Sequence, residues 1–498
     1  MVPFDTDVLV VGAGPAGLLI AGDLAAQGVA CTVVERDPEL SALARAFPLH
    51  TRTLEQLDAR GVADELIGAG TIVETVRLFN GLDLDLSCLP SRFPFMLCTP
   101  RHNAERVLEE RATGFGAEIV RGAEAVGLYQ DTAGVDVEVR AEGMMRTWRA
   151  RFAVSADDLR SVVRDALGVP FPGRSAVRSV MRADVRLAEK PEREMIFVAN
   201  EEGFSFVSSH GDGWYQVIAW DRRRQLPDSA QISLCEVRDA TRRVMGTDLG
   251  MHDPRHLSRT HGDERQALRY RVGRVFLAAD TACVHSLACG QGVNTGLQDA
   301  ANLGWKLAAG VQGWAPDGLL DTYHAERYPV GRRSLRINGT MISIATGSTR
   351  RSRAARSVLP AAVTRIHPLG RWLAETVSGL GISYPALPGA HRLAGQRAPD
   401  VHLAGKPIRL YEALRAGRFV LLAPAGDPAE AAASAYGERV IHAVPASPGL
   451  PVLLIRPDGY IACAIDERNP VSLETALRAA LAGWCAPHPP MAFTTKPG

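Results

Sequence analysis

The chain has 498 residues, 46% of them hydrophobic and 22% charged, with a formal net charge of +1. That length predicts about two to four domains around an ample core, and the balanced charge excludes a global field that draws nucleic acid or an anionic membrane. Eight cysteines without a C-x-x-C pair exclude a disulfide framework, a zinc site and a dithiol redox motif, leaving small buried thiols as the expectation.

The N-terminal run has no basic leader and no small-residue cleavage pattern, and glycines break its apolar stretch before Asp23. It is too short to span a bilayer, so a cytoplasmic protein is expected. Asp7 to Val11, "DVLVV", reads as a strand, followed at once by "GAGPAG" and a helical pattern. A second apolar run, "ACTVVER", completes a βαβ unit opening a parallel sheet. Gly12, Gly14 and Gly17, with Ala16 between, give G-x-G-x-x-G in the strand-to-helix position that binds a dinucleotide. The first glycine permits a tight turn, the second lets backbone approach a pyrophosphate, and the third lets helix and strand pack closely. Glu35 ends the second strand about twenty residues on, where a carboxylate accepts from a ribose hydroxyl.

Residues 178–268 offer strand-like segments and a helix near "SLCEVRDATRRVMG", which predicts an antiparallel sheet inserted into the nucleotide-binding domain. Within it "SSHGDGWYQVIAW" supplies His210, Trp214, Tyr215 and Trp220 as weak catalytic candidates, with packed sheet aromatics the alternative. The chain returns to a buried strand, "GRVFLAAD", which puts Asp280 at a carboxyl end of the sheet, where ligands bind. An N-cap role for Asp280 is the alternative. "GQGVNTG" then opens a long helix from about Gly292, offering backbone N–H groups to an electron-rich ring edge. Two dinucleotide-facing sites so far apart suit FAD. Ser383 to Pro399, rich in proline and glycine, reads as a linker, and the rest as a small α/β domain.

These segments resemble the aromatic-hydroxylase family of single-component FAD monooxygenases, above all its bacterial polyketide-tailoring branch. The likeness runs nearly end to end, through "GAGPAG", "LHTRTLEQLDARG", "LRSVVRDALGVPFPG", "HSLACGQGVNTGLQDAANLGWKLA", "YHAERYPVGR" and "RPDGY". It implies an α/β fold: a Rossmann-like FAD-binding domain (1–177 and 269–385), an inserted mixed or antiparallel substrate domain (178–268) and a thioredoxin-like C-terminal domain (386–498) without redox cysteines. By position, the resemblance places Arg45 near the flavin or pyrophosphate, counts Arg36, beside Glu35, among the cofactor-binding residues, and puts Arg101, where the family usually has Gln, by the ribityl chain. It gives Asp280 the ribityl hydroxyls, and sets Gly292, Val293 and Asn294 against the pyrimidine edge of the flavin. His285 lies near the flavin by position, as a structural residue or a weak catalytic candidate.

The family pattern breaks in places. An Asp-Gly pair thought to serve FAD and NAD(P)H reads Asp157-Asp158 here, with Ser155 replacing another glycine. A second carboxylate opposes nicotinamide phosphates by about 4 kcal/mol at about 4 Å in a dielectric near 20. If the family glycine has positive φ, Asp158 adds about 1–2 kcal/mol of strain. Ala279 replaces the glycine of a Gly-Asp pair, Cys283 a histidine, Leu287 a proline of the reaction pocket and Cys289 a glycine beside the flavin. The features that hold FAD persist, while those serving the hydride donor, NAD(P)H, lose support. Relatives in spirotetronate and spirotetramate pathways form decalins by a non-redox [4+2] cycloaddition, and the chain looks like such a protein acting on a small polyketide. A hydroxylase of an aromatic or polyketide substrate and a flavin-carrying scaffold are the rivals. Oligomeric state is not legible from the sequence.

Overall fold

The computed structural model describes residues 3–40, 46–79, 81–211, 213–286, 290–347, 349–426, 428–467 and 469–485. The chain divides into two compact units. The larger comprises Met1–Asp58, Val62–Gly304 and Tyr323–Ile382; the smaller comprises Ala59–Gly61, Trp305–Thr322 and Ser383–Gly498.

In the larger unit, strand Thr6–Val11 lies between Met144–Ser155 and Cys31–Glu35, parallel to both. Val275–Leu277 adds to the far side of Met144–Ser155, again parallel, and Glu118–Arg121 adds beyond Cys31–Glu35. Val8, Leu9 and Val10 are fully buried, as a parallel sheet covered on both faces demands. Val11 pairs with Ser155 and Val34, and Ser155 with Leu277, so the carboxyl ends of four strands share one edge. That edge is where a doubly wound sheet binds its ligand.

A second sheet of eight strands runs in the order Cys283–Val284, Met251–Gln266, Gly173–Leu187, Trp214–Asp221, Gly203–Gly211, Met195–Ala199, Thr75–Leu78, Leu82–Asp85. Its outer strands come from well outside residues 178–268, because an early hairpin and the segment after Asp280 close its two edges. One face packs Met181, Ala183, Val207 and Val217 on helix Leu234–Met245. That helix is capped by Ser233, whose hydroxyl accepts from Glu236 N, and stopped by Gly246 at φ +82°. The opposite face buries Phe204, Ile218 and Trp220 with Ile342, Ala345 and Val377 from the helices after residue 322.

In the smaller unit Phe419–Leu422 pairs parallel with Val440–Ala443 and antiparallel with Val452–Ile455, which pairs antiparallel with Ile461–Ile465. Helix Ala429–Ser434 joins the parallel strands and Pro470–Trp484 follows the last strand. This β-α-β then β-β-α order is thioredoxin-like. The stretch expected to be a linker is instead anchored to this unit, with Tyr384, Ala394 and Ala398 buried and residues 385–390 exposed. Tyr384 packs on Tyr460 with ring centroids 4.1 Å apart and planes tilted by 32°, and backbone bonds from Gly395 and Ala398 reach the carbonyls of Ile461 and Gly459. Proline and glycine here serve a packed strap, with Gly395 at φ +77° beneath the Tyr384 carbonyl.

Candidate cofactor site and substrate cavity

At Gly12 and Gly17 the glycine loop leaves no room for a Cβ. Gly12 has φ +102°, and a Cβ there would stand 2.6 Å from Ala156 O. A Cβ on Gly17 would lie 2.0 Å from Gly12 O. At Gly14 the space ends on the Arg101 guanidinium at 3.3 Å, so Arg101 covers the loop. Glu35 accepts from Ala13 N at 2.7 Å, which sets its carboxylate against the loop. Helix Pro15–Ala26 begins here without a side-chain cap, so its first N–H groups are available to a ligand.

The second half of the site folds onto the first. A Cβ on Gly296 would meet Ala279 Cβ at 2.8 Å and Ala16 Cβ at 3.7 Å, so the starts of helices Pro15–Ala26 and Gln291–Gln312 converge on the Ala279 turn. Ala279 has φ +55°, a left-handed conformation that costs an alanine about 1–2 kcal/mol. Asp299 holds this turn by accepting from Ala279 N at 3.3 Å, and is held in turn by Arg327 Nε at 2.6 Å. Asp299 and Arg327 lie inside quoted motifs, yet no local pattern marks them as partners. A buried network, Asp157 accepting from Ser155 and from Thr281 Oγ1 (2.8 Å), ties the ends of the two neighbouring strands together.

Asp280 is open to solvent, although burial lifts its carboxyl to about 6, with Asp158 adding repulsion and Arg101 opposing. A carboxylate in the wall of a cleft has both properties. Gly292 stands beside it, its Cβ position 3.7 Å from Asp280 Oδ1 and 4.0 Å from His285 Cβ. Val293 is half-buried at the same helix start. Asn294 is committed elsewhere: its amide accepts from His50 N at 2.8 Å and donates to the carbonyls of Pro48 and Gly290. It fixes the loop around the cleft and turns no free donor toward a ring. Asp158 lacks positive φ, so the anticipated strain is absent. Its carboxylate is exposed, accepts from Leu159 N and pairs with Arg36 at 3.7 Å. Arg45, Leu287 and Cys289 lie outside the described residues.

The glycine cradle, the acid at the strand end and the cleft carboxylate fit an extended dinucleotide. Residues 5–337 match the FAD binding domain family, and residues 391–487 match the aromatic-ring hydroxylase C-terminal family. The chain belongs to the FAD-binding aromatic-hydroxylase family. FAD is its cofactor. Rifampicin monooxygenase from Streptomyces venezuelae is 39% identical over 93% of this chain and 96% of that protein. Dialkyldecalin synthase from Streptomyces rugosporus is 32% identical over 96% of this chain and 99% of its own length. Among solved structures, an anhydrotetracycline hydroxylase from Streptomyces rimosus superposes with a TM-score of 0.86 at 34% identity, covering 97% of this chain and all 100% of that one.

An inner cavity of about 50 Å³ lies beneath the second sheet, walled by Pro48, Met96, Phe204, Phe206, Ile218 and Met341 among others. Of the described residues lining it, only Ser286 carries a nitrogen or oxygen in its side chain, and that hydroxyl donates to Glu264 Oε1 at 3.2 Å. Three of the walls are the methionines Met96, Met195 and Met341, the apolar side chain that re-packs most readily.

The aromatic and histidine candidates scatter around this cavity. Trp220 faces its side, stacked on Phe204 at 5.8 Å and donating to Arg178 O. Tyr215 points to the opposite face, into the core against helix Leu234–Met245. Trp214 shares the parity of Trp220 but sits at the strand's outer end, between the guanidinium groups of Arg186 and Arg255. His210 is buried with Nε2 3.4 Å from Asp184 Oδ1, on the cavity side of the sheet. His285 is half-buried, with Nε2 3.8 Å from Cys283 Sγ, and burial pulls it down to about 4. It is neutral near pH 7, and the buried Cys283 thiol is held far above its ordinary value by the same desolvation.

Proposed function

We propose that the chain is a polyketide-tailoring enzyme that holds FAD and performs a non-redox [4+2] cyclisation of a linear polyene to a decalin. The observation that carries this reading is the cavity wall, which presents no titratable side chain among its described residues. A cycloaddition forms its two carbon–carbon bonds without moving a proton, whereas activating a phenol for hydroxylation calls for a base. Confinement of a flexible chain in reactive geometry supplies the acceleration, and effective molarities cap that contribution at about 7–11 kcal/mol. With the Ser286 hydroxyl taken by Glu264, the wall adds little hydrogen-bond catalysis.

In this reading the Gly12–Gly17 loop and helix start would hold the FAD pyrophosphate, Glu35 the adenosine ribose, and Arg101 and Asp280 the ribityl side. Bound FAD supplies redox capacity to the family's hydroxylases; here it shapes the site. The negative charge that Asp158 adds beside Asp280 also supports a site unfavourable to NAD(P)H phosphates. The likeness to rifampicin monooxygenase favours a hydroxylase as the second reading.

Mixing the FAD-loaded protein with NADPH under argon, a linear polyene present, separates the two. Cyclised product with an unchanged flavin band is expected. Rapid bleaching of the flavin, with product only after oxygen is admitted, establishes the hydroxylase instead.

A further inference from the structure

Next to the inner cavity, a groove of about 1040 Å³ opens to solvent on the larger unit. Both are floored by the same strand pair. Arg174 pairs with Glu264 and Gly173 with Arg265 at the groove, while Val177 pairs with Gly262 and Val180 with Thr260 at the cavity. Both are also roofed by helix Thr322–Thr346. Arg332, Leu335, Arg336 and Gly339 turn to the groove, Met341, Ile342 and Ala345 to the cavity. Thr340, Ser343 and Ile344 of the groove interleave with Met341, Ile342 and Ala345 of the cavity, so the two spaces lie against adjoining faces of one helix.

Glu264 closes the joint between them. It is 7% exposed, accepts from Ser286 of the cavity wall at 3.2 Å and stands 3.8 Å from Arg174 Nη2 of the groove. Gly339 leaves the room it occupies, for a Cβ there would come within 3.3 Å of Glu264 Oε2. Charge in the groove is lopsided: Arg174, Arg332 and Arg336 face Glu264 as the single acid among the lining residues. Arg332 and Arg336 are exposed and make no ion pair among the described residues. Leu268, Leu335 and Ile344 supply apolar wall between the arginines.

We propose that groove and cavity form one joined site for an amphipathic acid, its carboxylate among Arg174, Arg332 and Arg336 and its apolar end entering the cavity as Met96, Met195 and Met341 re-pack to admit it. Glu264 swings from the joint as the chain threads past, and Arg174 exchanges its partner for the ligand's carboxylate. This deepens the reading of the cavity as the substrate pocket and rests on it. Two or three guanidinium groups around one carboxylate suit charge-assisted, forked recognition, which an ester of the same body cannot engage.

The test uses the FAD-loaded full chain and cis-parinaric acid, a fluorescent linear polyene acid, with its methyl ester as the uncharged twin. The acid is expected to bind about tenfold or more tighter than the ester. Arg332→Ala with Arg336→Ala should cut that preference to about threefold or less, the part Arg174 alone supplies, and leave ester binding within about twofold. Ala345→Phe, which fills the cavity, should weaken both ligands; Ile218→Phe repeats this arm should the first variant fold poorly. Equal affinities on the parent protein, or a preference undiminished in the double arginine variant, overturn the groove assignment. Arginine-dependent acid binding that ignores both cavity variants shows a surface anion site and overturns the joined site. Failure of both ligands to bind overturns the substrate pocket itself.

Discussion

Arg327→Met tests the arrangement that holds the Ala279–Asp280 turn. Arg327 and Asp299 have side chains 0% and 1% exposed, joined at 2.6 Å, and a second guanidinium nitrogen donates to Thr295 O at 3.2 Å. Removing the cation leaves a carboxylate inside the protein without its partner, a change that costs about 3–5 kcal/mol. Burial already pushes the Asp299 carboxyl up, and Arg327 pulls it back. In the variant the native value therefore rises further above the unfolded value of about 3.9. Between those two values the native state binds more protons than the unfolded one, so the variant's stability falls as pH rises through that window. The deficit is full above the raised value and shrinks in acid. Because Asp299 also accepts from Ala279 N, FAD affinity should fall about tenfold or more with it. Arg327→Met combined with Asp299→Leu should regain most of the stability, since apolar replacement of a buried pair is often near neutral, yet not the affinity. Urea unfolding across pH and a flavin-fluorescence titration read both quantities. A single variant within about 1 kcal/mol of the parent, or a double variant no better than the single, refutes the account.

Ala279→Gly should unfold no earlier than the parent: relief of about 1–2 kcal/mol of left-handed strain offsets the chain entropy of about 0.4–1 kcal/mol that glycine restores. Thermal unfolding decides it, and a clear loss of stability means the turn is unstrained. In the FAD-free protein, Asp280→Asn should raise stability above pH 6 and leave it unchanged near pH 4. The reason is that a carboxyl lifted to about 6 opposes folding only once ionised; a gain confined to low pH contradicts this. Asp158→Asn should lower the pH at which Asp280 titrates, followed by the same unfolding curves. Arg101→Ala strips the partner, at 2.6 Å, from the buried Glu105 and uncovers the glycine loop. Equilibrium dialysis should show FAD affinity about tenfold or more weaker, with Arg101→Gln retaining more of it than Arg101→Ala.

What the sequence determined by itself was local. A strand running straight into Gly12, Gly14 and Gly17 with Glu35 behind it dictates a dinucleotide cradle, because turn, close approach and helix packing are settled within a few residues. Asp280 at a strand end was legible for the same reason. Tertiary structure decided everything that depends on which face a side chain takes and on what lies across from it. Strand parity joined Trp214 to Trp220, yet only the fold puts the first between arginines and the second by the cavity. Asn294 carries a flavin-facing position in its motif, but its amide is spent on backbone nearly 250 residues away. The strap from Ser383 reads as a linker because proline and glycine serve loose and tight chain alike, and only burial of Tyr384 against Tyr460 tells them apart. The cavity, the basic groove and the Glu264 joint have no sequence signature at all. They exist because an antiparallel ladder sets residues 174 and 264 side by side, and pairing of that range is a property of the folded chain alone.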